Sequence, residues 1–385
     1  MEIKRLGELC NIVSGGTPSR TKTEFWNNGT IPWVKIGDIK EKYINETDEF
    51  ITKEGLDGSS TKMLPAGTIL YTIFATLGEV GILEIAACTN QAIAGIMIND
   101  IKQLNTDYLY YYLKSKKTYV NRVGRGVAQN NINMSMLKAL EVPVPELSKQ
   151  LEIVKVIDKA YEVIEDRKQE LKCLDNLIRA RFVEMFGDPV LNEKGWKIVT
   201  VGDIVTEVRY GTSKPAVEGG KYPYLRMNNL TADGHLDLKD LKYIDISEDE
   251  IEKCVVRKGD VLFNRTNSIE LVGKTAVFDL TEEMVIAGYI IRVRLTKEML
   301  PVVFSQYMNL EPLKVILRGM AKGAVNQANI NAQELQSIKV YIPDMKLQNQ
   351  FADFVQQIDK SKDSVQKALD EAQLLFDSLM QQYFG

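Results

Sequence analysis

Residue types that carry out catalysis are few in this sequence and lie far apart. The chain has one histidine, His235, in a short turn, and four cysteines with neither a Cys-x-x-Cys pair nor any metal-ligand spacing. We expect the histidine to be solvated and the cysteines to be the reduced thiols of a cytoplasmic protein. The Gly-x-x-x-x-Gly-Lys-Ser/Thr loop that binds nucleoside triphosphates does not occur.

Two further catalytic patterns are also missing from the sequence. An adenine-methylating enzyme carries a Pro-Pro-aromatic loop for the flipped base, and none of the eleven prolines is followed by another proline. A restriction-nuclease core needs Pro-Asp followed by an acidic-x-Lys triplet, and the single Pro-Asp, Pro343-Asp344, has no such triplet after it. Glu170-Leu171-Lys172 has the right letters, but a solvated helix face explains it better. We therefore predict no catalytic residue, no metal and no cofactor on this chain.

Two long stretches with a seven-residue apolar repeat dominate the rest of the pattern. Gln150–Gly187 has no proline or glycine before its last residue and is rich in good helix formers, and Gln348–Gly385 repeats the pattern. At about 1.5 Å per residue each helix is roughly 55 Å long, and its narrow apolar stripe needs a partner helix. The predicted coiled-coil contacts are Ile157, Ile164, Leu171, Ile178, Val355, Leu369 and Phe376.

The chain is an internal duplication. Both long stretches end in Phe-Gly, at Gly187 and Gly385, and this offset of 198 residues continues toward the N-terminus without a gap. It reaches an Asn-Ile-Asn motif, which is Asn131–Asn133 in the first copy and Asn329–Asn331 in the second. Chance similarity does not keep one register over so long a stretch, so we interpret the fold as a repeat.

Each copy contains a globular lobe ahead of its long helix. Short β-branched and aromatic runs such as Val80–Leu83 predict strands and Asp107–Lys116 predicts a helix, so each lobe is α+β. The lobes share their scaffold but differ in their loops, where binding specificity usually resides. The predicted boundaries are 1–146 for the first lobe, 147–187 for the first helix, 188–344 for the second lobe with a short linker, and 345–385 for the second helix.

Composition narrows the class of protein. With 385 residues, 45% hydrophobic and 26% charged, the chain is typical of a soluble protein of two or three domains. A formal net charge of −4 excludes a bulk polycation, so any nucleic-acid binding must come from a local basic surface. The start lacks the apolar core of a signal peptide, and polar residues interrupt the most apolar run, 80–98, so we expect no membrane span.

The duplicated order of these features resembles the specificity (S) subunit of type I restriction-modification systems. The resemblance extends over essentially the whole chain and depends on the order of several motifs, none of which is strong alone. The paired segments are Leu6–Leu9 with Val201–Ile204, Gly67–Tyr71 with Gly259–Phe263, Gln129–Asn133 with Gln327–Asn331, and the two long helices with their Phe-Gly ends.

The resemblance implies two target-recognition domains, each reading one half of a split site in double-stranded DNA, separated by an antiparallel coiled coil. It implies that modification (methyltransferase) subunits, two of them, dock on the helices with S-adenosylmethionine, and that restriction subunits using ATP and Mg²⁺ join the complex. A pseudo-twofold chain suits two identical partners. A helix of roughly 55 Å limits the half-site separation to about one and a half turns, at about 3.4 Å per base pair.

Side chains that contact DNA are expected in the unlike loops, because Arg, Lys, Asn and Gln read bases while Arg, Lys, Ser and Thr hold phosphates. Arg265 is favoured because its polar loop follows a strand that should be buried, and Lys35 and Arg226 because their positions match. The alternative for each residue is an ordinary solvated or capping role. The candidates are Thr17, Ser19, Arg20, Lys35, Thr72, Thr76, Arg125 and Gln129 in the first lobe, and Arg209, Lys214, Arg226, Asn228, Asn229, Asn264, Arg265, Asn267 and Lys322 in the second.

Two repeated features favour a structural role. The segments Gln129–Asn133 and Gln327–Asn331 are interpreted mainly as scaffold at the lobe–helix junctions, since Asn and Gln ahead of an apolar stretch often cap helices. The aromatic helix ends, Met185-Phe186 and Tyr383-Phe384, are expected to pack against the opposite lobe.

Two other classes of function stay open at this point. One is a stand-alone enzyme, a fused methyltransferase or nuclease, which the missing motifs disfavour and which binding of S-adenosylmethionine to the isolated chain would reveal. The other is a scaffolding protein without DNA selectivity, which binds proteins through its helices.

Charge placed in the helix seam tests the spacer hypothesis. Replacing Leu171 and Leu369 together by Asp should disrupt the coiled coil, because two carboxylates cannot be buried without partners. Selection for one half-site spacing should then be lost in a DNA-modification assay with spacers of different length. Unchanged spacing selectivity would contradict the spacer role.

Overall fold

The structure is a computed structural model that describes residues 2–124, 131–324 and 327–385. Contacts divide the chain into two units, Met1–Asp166 with Ala368–Gly385, and Arg167–Lys367. This division cuts through both long helices, so each unit holds one lobe and part of each helix.

The first unit contains one lobe of short strands and helices followed by the start of a long helix. Its strands are β1 Glu2–Arg5, β2 Cys10–Ser14, β3 Ile31–Val34, β4 Tyr43–Ile44, β5 Phe50–Ile51, β6 Ile69–Thr72, β7 Val80–Leu83, β8 Cys88–Thr89, β9 Ile93–Ile98 and β10 Glu141–Val144. Its helices are α1 Leu6–Leu9, α2 Lys53–Asp57, α3 Thr106–Ser115, α4 Lys117–Gly124, α5 Met134–Lys138 and α6 Leu147–Phe186, which continues into the second unit.

Two sheets build the first lobe. One has five strands in the order β2-β9-β6-β7-β4, and the other has three in the order β5-β3-β8, with β3 and β8 parallel. A separate antiparallel pair joins β1 to β10, with Glu2 opposite Val144. This pair ties the start of the chain to the strand that leads into α6.

The second unit repeats this plan with different insertions. Its strands are β11 Lys197–Thr200, β12 Val205–Tyr210, β13 Tyr222–Leu225, β14 Lys242–Ile244, β15 Val255–Val256, β16 Val261–Asn264, β17 Thr266–Asn267, β18 Thr275–Val277, β19 Met284–Ile286, β20 Ile290–Leu295, β21 Lys322–Ala324, β22 Gln327–Asn329 and β23 Lys339–Ile342. Its helices are α7 Glu248–Cys254, α8 Pro301–Asn309, α9 Glu311–Met320, α10 Ala332–Gln336 and α11 Met345–Phe384, which continues into the first unit.

The sheets of the second lobe reproduce the pairings of the first. One sheet has the order β12-β20-β16-β18, another β14-β13-β19-β15 and a third β17-β22-β21. Strands β13 and β19 are parallel, as are β3 and β8, and β11 pairs with β23 as β1 does with β10. The duplication seen in the sequence is therefore a duplication of strand pairing.

A buried glutamine fixes each lobe to the first turn of its long helix. Gln150 accepts a hydrogen bond from the Asn105 amide and donates to the carbonyls of Gln103 and Pro145, all at 2.8 Å. Gln348 makes the same three kinds of bond, to the Leu300 amide and the carbonyls of Glu298 and Pro343, all at 2.9 Å. Both side chains are fully buried, so each satisfies three backbone groups that would otherwise lack partners.

The two long helices, each of 40 residues, pair in both units. In the first unit Ile157 and Ile164 near the start of α6 share a core with Phe376 and Met380 near the end of α11. The second unit packs residues near the end of α6 against the start of α11, and the rings of Phe182 and Phe351 lie 5.4 Å apart. Helix starts therefore meet helix ends, which confirms the antiparallel pairing.

The aromatic end of each helix packs in the opposite lobe, as predicted: the end of α11 in the first lobe and the end of α6 in the second. Phe384, at the end of α11, contacts Tyr108 and Tyr112 of the first lobe, at 5.3 and 6.1 Å between ring centroids. Phe186, at the end of α6, is fully buried in the core of the second lobe, 5.4 Å from Phe351. Each lobe therefore packs against both helices.

The α+β fold class with two repeated lobes is confirmed, while some local details differ. Val80–Leu83 is a strand as predicted, but the Ile31–Ile36 run is a strand only to Val34 and then turns into a 3₁₀ helix, Ile36–Asp38. All four cysteines are free thiols. In the described part of the chain, no helix has both the length and the apolar character needed to cross a bilayer.

Replacing Gln150 by Leu should lower the free energy of unfolding by about 3 kcal/mol, because three buried backbone groups lose their partners. Gln348→Leu should have an effect of similar size in the second unit. The control is Gln357→Leu on the exposed side of α11, which should change stability by no more than about 0.5 kcal/mol. Equal denaturation midpoints for Gln150→Leu and Gln357→Leu would refute the structural role of these glutamines.

Candidate nucleic-acid interface

In the first lobe, the turn after β2 presents three of the selected residues, Thr17, Ser19 and Arg20, at the surface. Arg20 is the most constrained of them. Its guanidinium lies 2.6 Å from a carboxylate oxygen of Glu49 and 3.6 Å from the ring centroid of Trp26. A planar guanidinium that stacks on an indole and pairs with a carboxylate is held in one orientation.

Two tryptophans, which were not among the predicted DNA-contacting residues, support this turn. Trp26 and Trp33 pack edge to face with centroids 5.1 Å apart. The indole N–H of Trp33 donates to the Gly16 carbonyl at 3.0 Å, and that of Trp26 donates to the Ser19 carbonyl at 3.1 Å. A tryptophan in a loop-rich lobe needs such a partner for its N–H when it is buried, and this was the available signal in the sequence.

Lys35 and Arg226 occupy equivalent places in the two lobes, between a strand and a 3₁₀ turn, and each is paired with a carboxylate. Lys35 Nζ lies 3.0 Å from Glu49 Oε1, and Arg226 Nη2 lies 2.7 Å from Asp240 Oδ2. Hydrogen bonds from Arg20 and then Lys35 lower the pKa of Glu49, so this acceptor stays ionised at neutral pH. A DNA phosphate must therefore compete with these carboxylates for the two cations.

Asn229, Thr72 and Asn264 are buried and shape the backbone rather than the surface. Asn229 accepts from the Arg226 amide at 2.8 Å and donates to the Asp237 carbonyl at 2.8 Å. Thr72 donates to the Thr76 carbonyl inside the β6–β7 loop. Their burial removes these three from the surface that DNA can reach, so the capping alternative describes them better.

Thr72 and Asn264 sit at the ends of matched strands, β6 and β16. Asn264 donates a long hydrogen bond of 3.4 Å to the Met227 carbonyl, while its side-chain oxygen has no partner among the described residues. The polar residues that follow the buried strand were predicted to form a surface loop. The first of them, Asn264, is buried instead.

Arg265, the next residue, has no acidic partner within the described ranges. Its Nη1 donates at 3.4 Å to the Gly288 carbonyl, its Nε is buried without a partner there, and its guanidinium carbon lies 4.9 Å from the ring centroid of Tyr210. Tyr210 is fixed in turn, because its hydroxyl accepts from the Ala332 amide at 2.8 Å. Arg265 is thus a half-buried cation with unused donors beside an aromatic ring.

The other described candidates are on the surface. Arg209 pairs with Glu207 at 3.1 Å and Lys214 pairs with Glu250. Asn228 and Thr76 are exposed, and Asn267 is half-buried. The neutralised cations resemble ordinary solvated ion pairs more than Arg265 does.

The side chains of three candidates lie outside the described part of the structure. Arg125 and Gln129 lie outside the described residues, and Lys322 belongs to β21 but its side chain is outside the described part. The neighbouring asparagines do have a defined role. Asn133 caps α5 by accepting from the Met136 amide at 2.9 Å, and Asn331 caps α10 by accepting from the Glu334 amide at 2.9 Å.

Two buried lysines beneath the loops of the second lobe gave no signal in the sequence. Lys274 Nζ donates to the carbonyls of Met227, at 3.0 Å, and Leu230. Lys314 Nζ donates to the Gly273 carbonyl at 2.5 Å, and burial lowers its pKa to about 7. These hydrogen bonds fix the backbone at Met227, Leu230 and Gly273, around the Arg265 loop.

The family model of the type I restriction modification DNA specificity domain matches residues 1–173 and again residues 193–373. The type I restriction enzyme MjaIX specificity subunit of Methanocaldococcus jannaschii is 29% identical over 60% of this chain, and that match spans only 58% of the relative's own length. The EcoKI specificity subunit of Escherichia coli is 23% identical over 98% of this chain and 86% of its own length.

Solved structures share the fold over the whole chain. The S subunit of the type I restriction-modification system from M. genitalium has a TM-score of 0.50 and 17% identity, covering 100% of this chain and 96% of that one. A chain from a study of complex assembly in the type I system has a TM-score of 0.57 and 18% identity, covering 100% and 97%. Two family matches in tandem, one per lobe, account for the duplicated architecture, and the chain belongs to the family of type I restriction-modification DNA specificity subunits.

Proposed function

We propose that this specificity subunit reads a bipartite DNA site, one half with each lobe, and that its paired helices set the gap between the halves. The observation that carries the proposal is a duplicated scaffold with unlike loops. The two lobes share strand pairing, junction glutamines and capping asparagines, while their loops differ in length and side chains. A shared scaffold with unlike loops suits two different half-sites in one orientation-specific site.

Surface residues of the helices support docking of modification subunits. Leu177 on α6 and Leu375 on α11 are separated by the 198-residue offset of the duplication, and they are 46% and 56% exposed. Val163 lies fourteen residues before Leu177 on the same heptad position and is also exposed. Apolar side chains at matched positions of a repeat suit two copies of one partner, in our proposal two methyltransferase subunits.

In the proposed complex this chain holds no cofactor of its own. The methyltransferase subunits carry S-adenosylmethionine, and restriction subunits that use ATP and Mg²⁺ join for cleavage. The alternative of a scaffolding protein without DNA selectivity has no specific observation in its favour.

Methylome sequencing tests the proposed function directly. A host expressing this chain together with its neighbouring modification gene should show a bipartite methylated motif that is missing when the chain is omitted. With no new motif, pull-down of the modification subunit decides the matter, because binding without any DNA selectivity would establish the scaffolding alternative.

Arg265→Ala should weaken discrimination at one half-site by about 1–3 kcal/mol if the guanidinium contacts a base edge. We expect a larger loss of discrimination than for the ion-paired cations, because the donors of Arg265 have no carboxylate partner among the described residues. The measurement is methylation rate on sites with single base changes in either half. Arg257→Ala is the control, because this exposed arginine of the same lobe already pairs with Glu252 and Glu283.

The pattern of loss distinguishes the contacts. Equal loss on all sequences would assign Arg265 to a phosphate. No loss beyond that of Arg257→Ala would remove it from the interface.

A further inference from the structure

A charged cluster lies where the turn at residues 231–236 of the second lobe meets both long helices. Lys362 of α11 is at its centre, with Nζ 2.5 Å from Asp175 Oδ1 of α6 and 3.2 Å from Asp233 Oδ2 of the turn. One ammonium group thereby joins three elements: the lobe and the two helices.

His235, which was predicted to be solvated, borders this cluster with a side chain that is 37% exposed. Its Nε2 lies 3.8 Å from Asp233 Oδ2 and 3.8 Å from Asp359 Oδ1. Both Nε2 and this Asp359 oxygen are buried and lack hydrogen-bond partners among the described residues. The turn itself is rigid, because the Thr231 hydroxyl donates to the His235 carbonyl and accepts from its amide, both at 2.9 Å.

The cluster holds three carboxyl groups and the single ammonium of Lys362. Burial by itself would lower the pKa of Lys362, but its hydrogen bonds to Asp175 and Asp233 raise it, so Lys362 stays charged. Burial by itself would raise the pKa of Asp233, but the Thr231 hydroxyl and the nearby positive charges lower it.

Asp359 is the carboxylate with the least support. Burial raises its pKa, against the opposing effect of His235 and Lys362, and Asp363 and Asp279 add negative charge nearby. Lys362 is the charged side chain that offsets these carboxyl groups where the lobe meets the helices.

A metal ion is the other occupant that this cluster suggests. The ligand atoms of Asp175, Asp233 and His235 lie within 4.8 Å of one another. The ammonium of Lys362 already lies between two of those carboxylates, where it takes the place that a metal would need.

The first lobe is attached to α6 by a different cluster without a histidine. Lys42 Nζ lies 2.9 Å from Asp107 of α3 and 2.8 Å from Asp158 of α6. Here the lysine belongs to the lobe, whereas in the second unit it belongs to the helix. The two attachments are therefore unlike, and the second alone contains a histidine, since the chain has one.

We propose that Lys362 is a positioning residue for DNA recognition, which fixes the second lobe to both helices through Asp233 of the turn and Asp175 of α6. The proposal rests on the proposed function, in which the helices set the gap between half-sites. A looser attachment lets the second lobe shift on the helices, so the complex should accept wrong gaps while each half-site is still read correctly.

The experiment uses the full chain in complex with its modification subunit and DNA in which the gap between the two half-sites varies by one base pair. Lys362→Met should reduce the preference for the correct gap about tenfold while leaving base discrimination within each half-site unchanged. Lys362→Arg, which keeps the charge, should retain most of the preference. Lys360→Met is the matched control, because Lys360 is exposed two residues away on the same helix.

Recovery in the charge-conserving variant is a readout that a merely structural role would not move, because a loss of packing would affect Lys362→Arg as well as Lys362→Met. Thermal unfolding identifies variants that do not fold, and Asp175→Asn, which preserves side-chain volume, replaces Lys362→Met in that event.

Two outcomes overturn the inference: unchanged gap preference in Lys362→Met, or a loss in Lys362→Arg as large as the loss in Lys362→Met. Failure of the proposed function gives a different result, because the wild-type complex itself would then recognise no bipartite site.

Discussion

The structure depends on covering the apolar stripes of two 40-residue helices. Neither stripe can stay in water at its full length, and the large aromatic side chains at the helix ends need cover from the lobes as well as from the partner helix. The lobes supply the missing cover: Phe384 packs on Tyr108 of the first lobe and Phe186 packs in the core of the second. The packing that pairs the helices therefore also attaches the lobes, because burial of the helix ends anchors both of them.

The lobe–helix junctions show how the duplicated scaffold achieves this with polar groups. Gln150 and Gln348 satisfy the same three kinds of backbone group in the two units, so each helix starts at a fixed angle to its lobe. Lysines make different contacts in the two units. Lys116 Nζ donates to the Phe384 carbonyl at the end of α11, whereas Lys314 Nζ donates to the Gly273 carbonyl in the second lobe. The scaffold positions are kept, and the groups around the loops have diverged.

Ion pairing limits how strongly this chain, with a net charge of −4, attracts DNA. Most of the described candidate cations have a carboxylate partner, as Arg20 has Glu49 and Arg226 has Asp240. Such pairs contribute little general attraction for phosphate, and they impose a cost on any contact that does not replace the carboxylate. Arg265 differs because its donors have no carboxylate partner in the described ranges, which is the reason it leads the proposed contacts.

The sequence by itself determined the duplication, the two long helices, the α+β character of the lobes and the packing of the helix ends. These follow from periodicity and from a constant offset, which are local and additive signals. Tertiary structure alone decided which polar side chains reach the surface. Thr72, Asn229 and Asn264 have the chemistry of DNA contacts, but backbone groups distant in the sequence, such as the Asp237 and Met227 carbonyls, draw the two asparagines inward. The fold likewise brings Asp359, 124 positions away, within 3.8 Å of His235, whose side chain is still 37% exposed. Whether a polar atom finds water or a protein partner depends on segments remote in the chain, and no local pattern contains that information.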